Sequence, residues 1–231
     1  MDAGSLWNDV IVRRWGAVEI AKQFTRAVTG TPTALAMVNG CVALGLEATE
    51  EAEAHAVTSG EQFRIADLQY LQIVAACSAN LGANSGIALG LCKTRNNAPD
   101  SINEGVWFRV MDDNTVRAES DDGTTDVDDK LTNLSAGLTL KRFVFNFRDG
   151  WWKRDIRAGG HQGGSAAVQL SMDNAAGNLV PVCRGDQFTL AAASGPLEIF
   201  AQIVKASSAD TGILYIKEIE LGVKRASYAV A

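Results

Sequence analysis

The sequence predicts an all-β domain, a sandwich or a barrel, and three observations carry that prediction. Short apolar segments recur at short intervals along the 231 residues, divided by turns rich in Gly, Asn, Asp and Pro. Across residues 138–147 the apolar positions alternate, so Phe143, Phe145 and Phe147 fall on one face of a strand. Helical periodicity is weak outside the N-terminal stretch. A chain of this length buries roughly 70% of its unfolded surface and needs no disulfide or metal staple.

Residues 1–31 read as an N-terminal arm. Val10, Ile11, Trp15 and Val18 are apolar, and Arg13, Arg14, Lys22 and Arg26 stand between them. The spacing fits a helix in part and an irregular amphipathic arm in part, and Gly30-Thr31-Pro32 ends it. The arm either packs on its own domain or docks on a neighbouring subunit. Its basic character beside an acidic body favours docking, with Trp7, Val10, Ile11 and Trp15 as the contacts.

The β body follows over residues 32–225, with a small extension at 226–231. Residues 34–46 are small and apolar and read as one strand. Glu47, Glu50, Glu51 and Glu53 form a charged connection, a solvated loop or a single helical turn. Further strands are expected near 63–77, 86–91, 106–111 and 116–120, the last two flanking a hairpin turn at Asp112-Asp113-Asn114. Those at 138–147, 167–172, 188–192, 197–204 and 213–223 complete the set. Ile199, Ile203, Tyr215 and Ile219 join the three phenylalanines as candidate core residues.

The formal net charge of −6 disfavours a duplex nucleic-acid binder, which needs a basic face to displace counterions. No apolar run approaches the ~18 residues of a membrane span. The first residues lack the basic-then-apolar pattern of a secretion signal. Cys41, Cys77 and Cys92 lie in apolar runs and read as buried free thiols, which suits synthesis in a reducing cytoplasm.

Little in the sequence points to catalysis. Asp112, Asp113, Glu119, Asp121, Asp122, Asp126, Asp128 and Asp129 crowd one region. Such a cluster can bind calcium, but no EF-hand order is present, and a solvated acidic loop guarding a sheet edge explains it better. Sandwich glucanases carry E-x-D-x-x-E on one strand; Glu119-Ser120-Asp121 comes nearest and lacks the second glutamate. His55 reads as a loop residue. His161 sits in a glycine-rich loop with no phosphate-binding signature. No catalytic residue, metal or cofactor is assigned. Trp151-Trp152-Lys153-Arg154 is an aromatic pair beside cations, suited to the core, an interface or a sugar ring.

One family resemblance is present. It runs through Asp67-Leu68-Gln69-Tyr70, Gly90-Leu91-Cys92-Lys93-Thr94-Arg95-Asn96-Asn97-Ala98-Pro99-Asp100, and Gly105-Val106-Trp107-Phe108-Arg109-Val110. It continues through Ala118-Glu119-Ser120-Asp121-Asp122-Gly123-Thr124-Thr125-Asp126 and Lys141-Arg142-Phe143-Val144-Phe145-Asn146-Phe147. This order resembles virion structural proteins of tailed bacteriophages that carry a concanavalin-A-like jelly roll. It covers residues 67–147, fades over 149–182 and returns in the closing strands at 197–221.

The resemblance implies an antiparallel two-sheet jelly-roll sandwich whose first and last body strands pair. It implies a capsid decoration or cement protein on the virion head, bound to the major capsid protein and to copies of itself, with a trimer ahead of a dimer. Trp151 and Trp152 supply a second expected contact. The alternative is a glycan- or receptor-binding lectin-like module of a tail fibre. The family carries no active site over to this chain.

Overall fold

The computed structural model describes residues 10–49, 52–78, 81, 85–147, 166–206 and 211–224. In chain order the strands are β1 (Val10–Gly16), β2 (Thr25–Thr29), β3 (Ala36–Val38), β4 (Cys41–Gly45), β5 (Glu53–Phe63), β6 (Leu68–Cys77), β7 (Ser85–Thr94) and β8 (Asn103–Val110). They continue with β9 (Thr115–Asp121), β10 (Asp126–Ser135), β11 (Lys141–Asn146), β12 (Ala167–Asp173), β13 (Leu179–Pro181), β14 (Phe188–Thr189), β15 (Leu197–Lys205) and β16 (Ile213–Lys224). A short helix, α1 (Ala17–Gln23), follows β1.

Two antiparallel sheets face each other. The first runs β13-β12-β11-β6-β16-β4-β3, with β1 also on β16 and β14 also on β12. The second runs β10-β9-β8-β7-β15-β5-β2. Alternate residues of each sheet meet in one core. Phe108 of the second sheet stands edge-on to Phe143 and Phe145 of the first, with ring centroids 5.3 and 5.1 Å apart. The expected jelly-roll sandwich is present, and β4, the first large strand of the expected body, pairs with the last strand. Phe143, Phe145, Phe147, Ile199, Ile203 and Ile219 are buried. Tyr215 is not a core residue: it is half-buried, and its neighbours Leu214 and Ile216 take the inward positions.

The N-terminal segment departs from the arm expected at 1–31. Val10–Gly16 pairs with β16 along its whole length. Ile11 and Trp15 stand opposite Val223 and Ile219, and Trp15 is buried with its ring edge-on to Phe24 at 5.7 Å. α1 buries Ala17 and Ile20, and β2 adds to β5. The arginines find partners in the same chain: Arg14 Nε donates to Glu220 Oε2 at 2.8 Å, Arg26 Nε donates to His55, and the Arg13 guanidinium lies over the Trp15 ring. Val10, Ile11 and Trp15 are therefore part of the sandwich. Trp7 and the extension at 226–231 lie outside the described residues.

Three connections also differ from the sequence reading. Residues 34–46 are a hairpin, not one strand, because Asn39 and Gly40 both take positive φ (50° and 73°), the turn that suits antiparallel strand twist. The charged connection ends in a strand: Glu53 opens β5, and His55 is fully buried in it rather than in a loop. The acidic stretch after Gly123 is the edge strand β10, broken by two register shifts.

Candidate functional site

The outer face of the second sheet carries an unusual set of side chains. Alternation on β7, β8, β9 and β15 turns Ile87, Leu89, Val106, Phe108 and Ile199 into the core. The residues between them point the other way. One row across the sheet reads Phe200, Gly90, Trp107, Glu119, and the next reads Gln202, Ala88, Arg109, Arg117. Gly90 is required here, since a Cβ would lie 2.3 Å from the Val106 carbonyl oxygen.

Residues 95–102 fold across this face. Ile102 packs with Ala88, Cys92, Trp107 and Phe200 in a second, smaller apolar cluster. Polar bonds pin the segment. Arg95 Nη1 donates to Gln202 Oε1 at 2.8 Å, Gln202 Nε2 donates to the Asn96 carbonyl at 2.9 Å, and Asn97 Nδ2 donates to Thr29 Oγ1 at 2.7 Å. A short 3-10 turn, Pro99–Ser101, places Asp100 against Arg109 in an ion pair.

Beneath that turn lies a charged cluster. Glu119 is 1% exposed. Trp107 Nε1 donates to its Oε2 at 2.8 Å, and Arg109 Nη1 lies 3.4 Å from its Oε1. Asp129 sits in the register shift of β10 with φ 51°, which turns it onto Arg117 Nη1 at 2.7 Å. Burial pushes the Glu119 carboxyl up to about 7; Arg109 opposes the shift, and Asp129 adds to it.

Beside the cluster a groove of about 480 Å³ opens between the 97–100 segment and the ends of β5, β7, β8 and β15. Asn97, Asp100 and Asp112 give it exposed polar groups, and Pro99, Met111 and Val204 give it apolar surface. Glu53 and Lys205 form its deepest charged pair, 3.5 Å apart and both buried. Glu53 Oε2 also accepts the Glu47 N–H at 2.7 Å. Two residues along β5, on the same face, His55 Nε2 accepts from Arg26 Nε at 2.9 Å, and Nδ1 faces the Gly45 carbonyl at 3.3 Å. Burial lowers the His55 pKa, so the neutral ring with its proton on Nδ1 ties the two sheets together.

The Asp-Asp-Gly turn serves architecture. Asp121 Oδ1 accepts the Gly123 N–H at 2.6 Å, and Asp122 Oδ1 accepts those of Thr124 and Thr125 at 3.0 and 2.7 Å. Asp122 Oδ2 takes the Ala192 N–H at 3.1 Å, joining the turn to a distant loop. Burial pulls the Asp122 pKa up, but these N–H groups win and hold it below the usual carboxylate range. Among the described residues, no three His, Cys, Asp or Glu side chains converge as a metal site.

Of the residues expected to contact a partner, Trp15 is buried and Val10 and Ile11 are half-buried in β1. Trp7, Trp151 and Trp152 lie outside the described residues. The groove residues Glu53, Asn97, Arg109 and Lys205 were not expected as a site. Only the alternation of Trp107 with Arg109, facing Arg117 and Glu119 across a short turn, could have shown part of it.

No family model and no curated protein matches the chain. Solved structures do. A peanut lectin bound to a nine-residue peptide is 12% identical, over 94% of this chain and 98% of that one, with a TM-score of 0.58. A structure described as a native glycosidic hydrolase is 10% identical over 93% and 95%, with a TM-score of 0.59. The carbohydrate recognition domain of Emp46p in its potassium-bound form is 15% identical over 87% and 88%, with a TM-score of 0.53. At these identities the likeness shows the fold, a concanavalin-A-like jelly roll.

Proposed function

We propose that the chain is a glycan-binding jelly-roll module carried on the outside of a tailed-phage virion, and that it binds without catalysis. The observation that carries this reading is the groove on the second sheet. It sets exposed amide and carboxylate groups beside apolar surface, the mixture that suits a sugar's hydroxyl edge and its C–H face. Structural neighbours described as a lectin and a carbohydrate recognition domain lend support. The virion placement rests on the resemblance of residues 67–147.

The carboxylates argue against hydrolysis. A glycosidase needs two carboxyl groups flanking the bond, roughly 5–10 Å apart. Glu119 has one oxygen on the Trp107 indole and the other toward Arg109, and the Asp129 carboxylate acts on it as a neighbouring negative charge. Asp121 is committed to its turn.

The test is affinity electrophoresis of the purified chain in gels holding bacterial surface polysaccharides, beside a glycan array. Replacing Asn97 and Asp100 together with Ala should weaken retention by about tenfold, or ~1.4 kcal/mol, and leave the sandwich folded. If no polysaccharide retains the wild-type chain, the glycan reading fails. Release of reducing ends that Glu119→Gln abolishes would make the protein an enzyme.

Capsid decoration is the second reading. Residues 10–29 offer it no free arm, since they pair or pack on the sheets, but Val28, Met37 and Val38 are exposed on the edge strands β2 and β3. Co-sedimentation with purified heads, lost on Met37→Lys, would favour it over the glycan module.

A further inference from the structure

The cluster beneath residues 95–102 holds more negative than positive charge. Glu119, Asp129 and Asp100 all face Arg109, and Arg117 is the second cation. Three carboxylates contact these two guanidinium groups, and the exposed Asp113 adds a solvent-screened negative charge near Arg117. Glu119 is the least exposed of the three, at 1%, and Asp100 the most, at 65%. A buried excess charge is costly, so a proton is favoured on the carboxyl farthest from water. The remaining charged wall of the groove is Asp112 and the Glu53–Lys205 pair.

We infer that Glu119 and Arg109 form a proton-sensitive latch that sets how firmly Asp100, and with it the groove wall, is held on the second sheet. With Glu119 protonated, the two remaining carboxylates that contact Arg109 and Arg117 balance the two guanidinium groups. Arg109 then serves Asp100 fully. When Glu119 ionises, the cluster carries one buried negative charge in excess and Arg109 is drawn inward. Asp100 relieves the repulsion most cheaply, because it already reaches solvent. The other anchors of the segment, Arg95 on Gln202, Gln202 on Asn96 and Asn97 on Thr29, do not change charge in this range. The segment therefore stays seated, and only the Pro99–Ser101 turn loosens. The upward shift of Glu119 to about 7 places the change near neutral pH.

This inference goes beyond the glycan reading and stands without it, because its readout needs no ligand. Hydrogen exchange on the full chain, between about pH 5.5 and 8.5 and corrected for intrinsic rates, reports the turn through the Ser101 and Ile102 amides. These donate to the Ala98 and Pro99 carbonyls. In the wild type their opening should rise roughly fivefold across a step near pH 7. Glu119→Gln should remove the step and keep exchange slow. Asp100→Asn should remove it and keep exchange fast. A flat wild-type profile, or a step that survives Glu119→Gln, overturns the latch. Should either variant fail to fold, the wild-type Trp107 indole N–H decides. Its proton shift should titrate near pH 7, and an indole signal that does not move sinks the proposal.

Discussion

Glu119 shows how far a position in a fold can change a side chain. In an unfolded chain its carboxyl has an ordinary value near 4.5; in the sandwich it sits near 7. A raised folded-state value stabilises the protein fully below the unfolded value, and that contribution is lost as pH rises through 7. The amount is on the order of 3 kcal/mol at most. Urea midpoints of the wild type should thus fall between about pH 5 and 8, and those of Glu119→Gln should stay nearly flat. A variant as pH-sensitive as the wild type would assign the slope elsewhere. Phe145 offers a plainer case. It is fully buried against Phe108, so Phe145→Ala should cost about 3–5 kcal/mol, read as a lower denaturation midpoint. The phenylalanines were legible because alternation states which face they occupy. Glu53, His55 and Lys205 were not, because a charged residue reads as solvated until its partner is placed beside it.

Among the elements, the first thirty-one residues carry the sharpest expectation. β1 closes one side of β16, β2 extends the second sheet, and α1 lays Ile20 on the core. Burying Ile20, Trp15 and Phe24 contributes roughly 1.5–3 kcal/mol each. Deleting residues 1–31 should therefore leave an insoluble or largely unfolded chain, seen as loss of a cooperative melting transition. A deletion variant that still melts sharply near the wild-type temperature would restore the free arm. The segment was hard to read for a physical reason. A seven-residue strand running straight into a seven-residue helix gives neither period room to repeat, and the partner of Arg14, Glu220, is about two hundred residues away. β5 was lost because Ala54, His55 and Ala56 have no strong strand preference; their place comes from β15 alongside. The Asn39-Gly40 hairpin, in contrast, was open to a local reading of its turn chemistry.

At the scale of the whole molecule, fold and function separate. The same jelly roll serves proteins described as lectins and as a glycosidic hydrolase, so the shape decides neither. What belongs to this chain is its surface: the groove on one sheet, and the edges where the sheets end. Those edges are guarded unequally. β10 carries Asp126, Asp128 and Asp129 and two register shifts; β13 ends in Pro181; β2 carries Arg26. All three are devices that discourage strand addition. β3 reads Ala-Met-Val, with every residue exposed and no charge, proline or register shift. Pairing of β3 with β3 of a second copy is self-complementary about a two-fold axis, which puts a dimer ahead of the trimer expected from the resemblance. Sedimentation velocity should show a dimer at tens of micromolar protein. Met37→Lys should return it to a monomer without altering its melting temperature, since Met37 is half exposed and little packing is lost. A wild-type monomer at that concentration, or a trimer indifferent to Met37→Lys, would show that β3 is not the self-association edge.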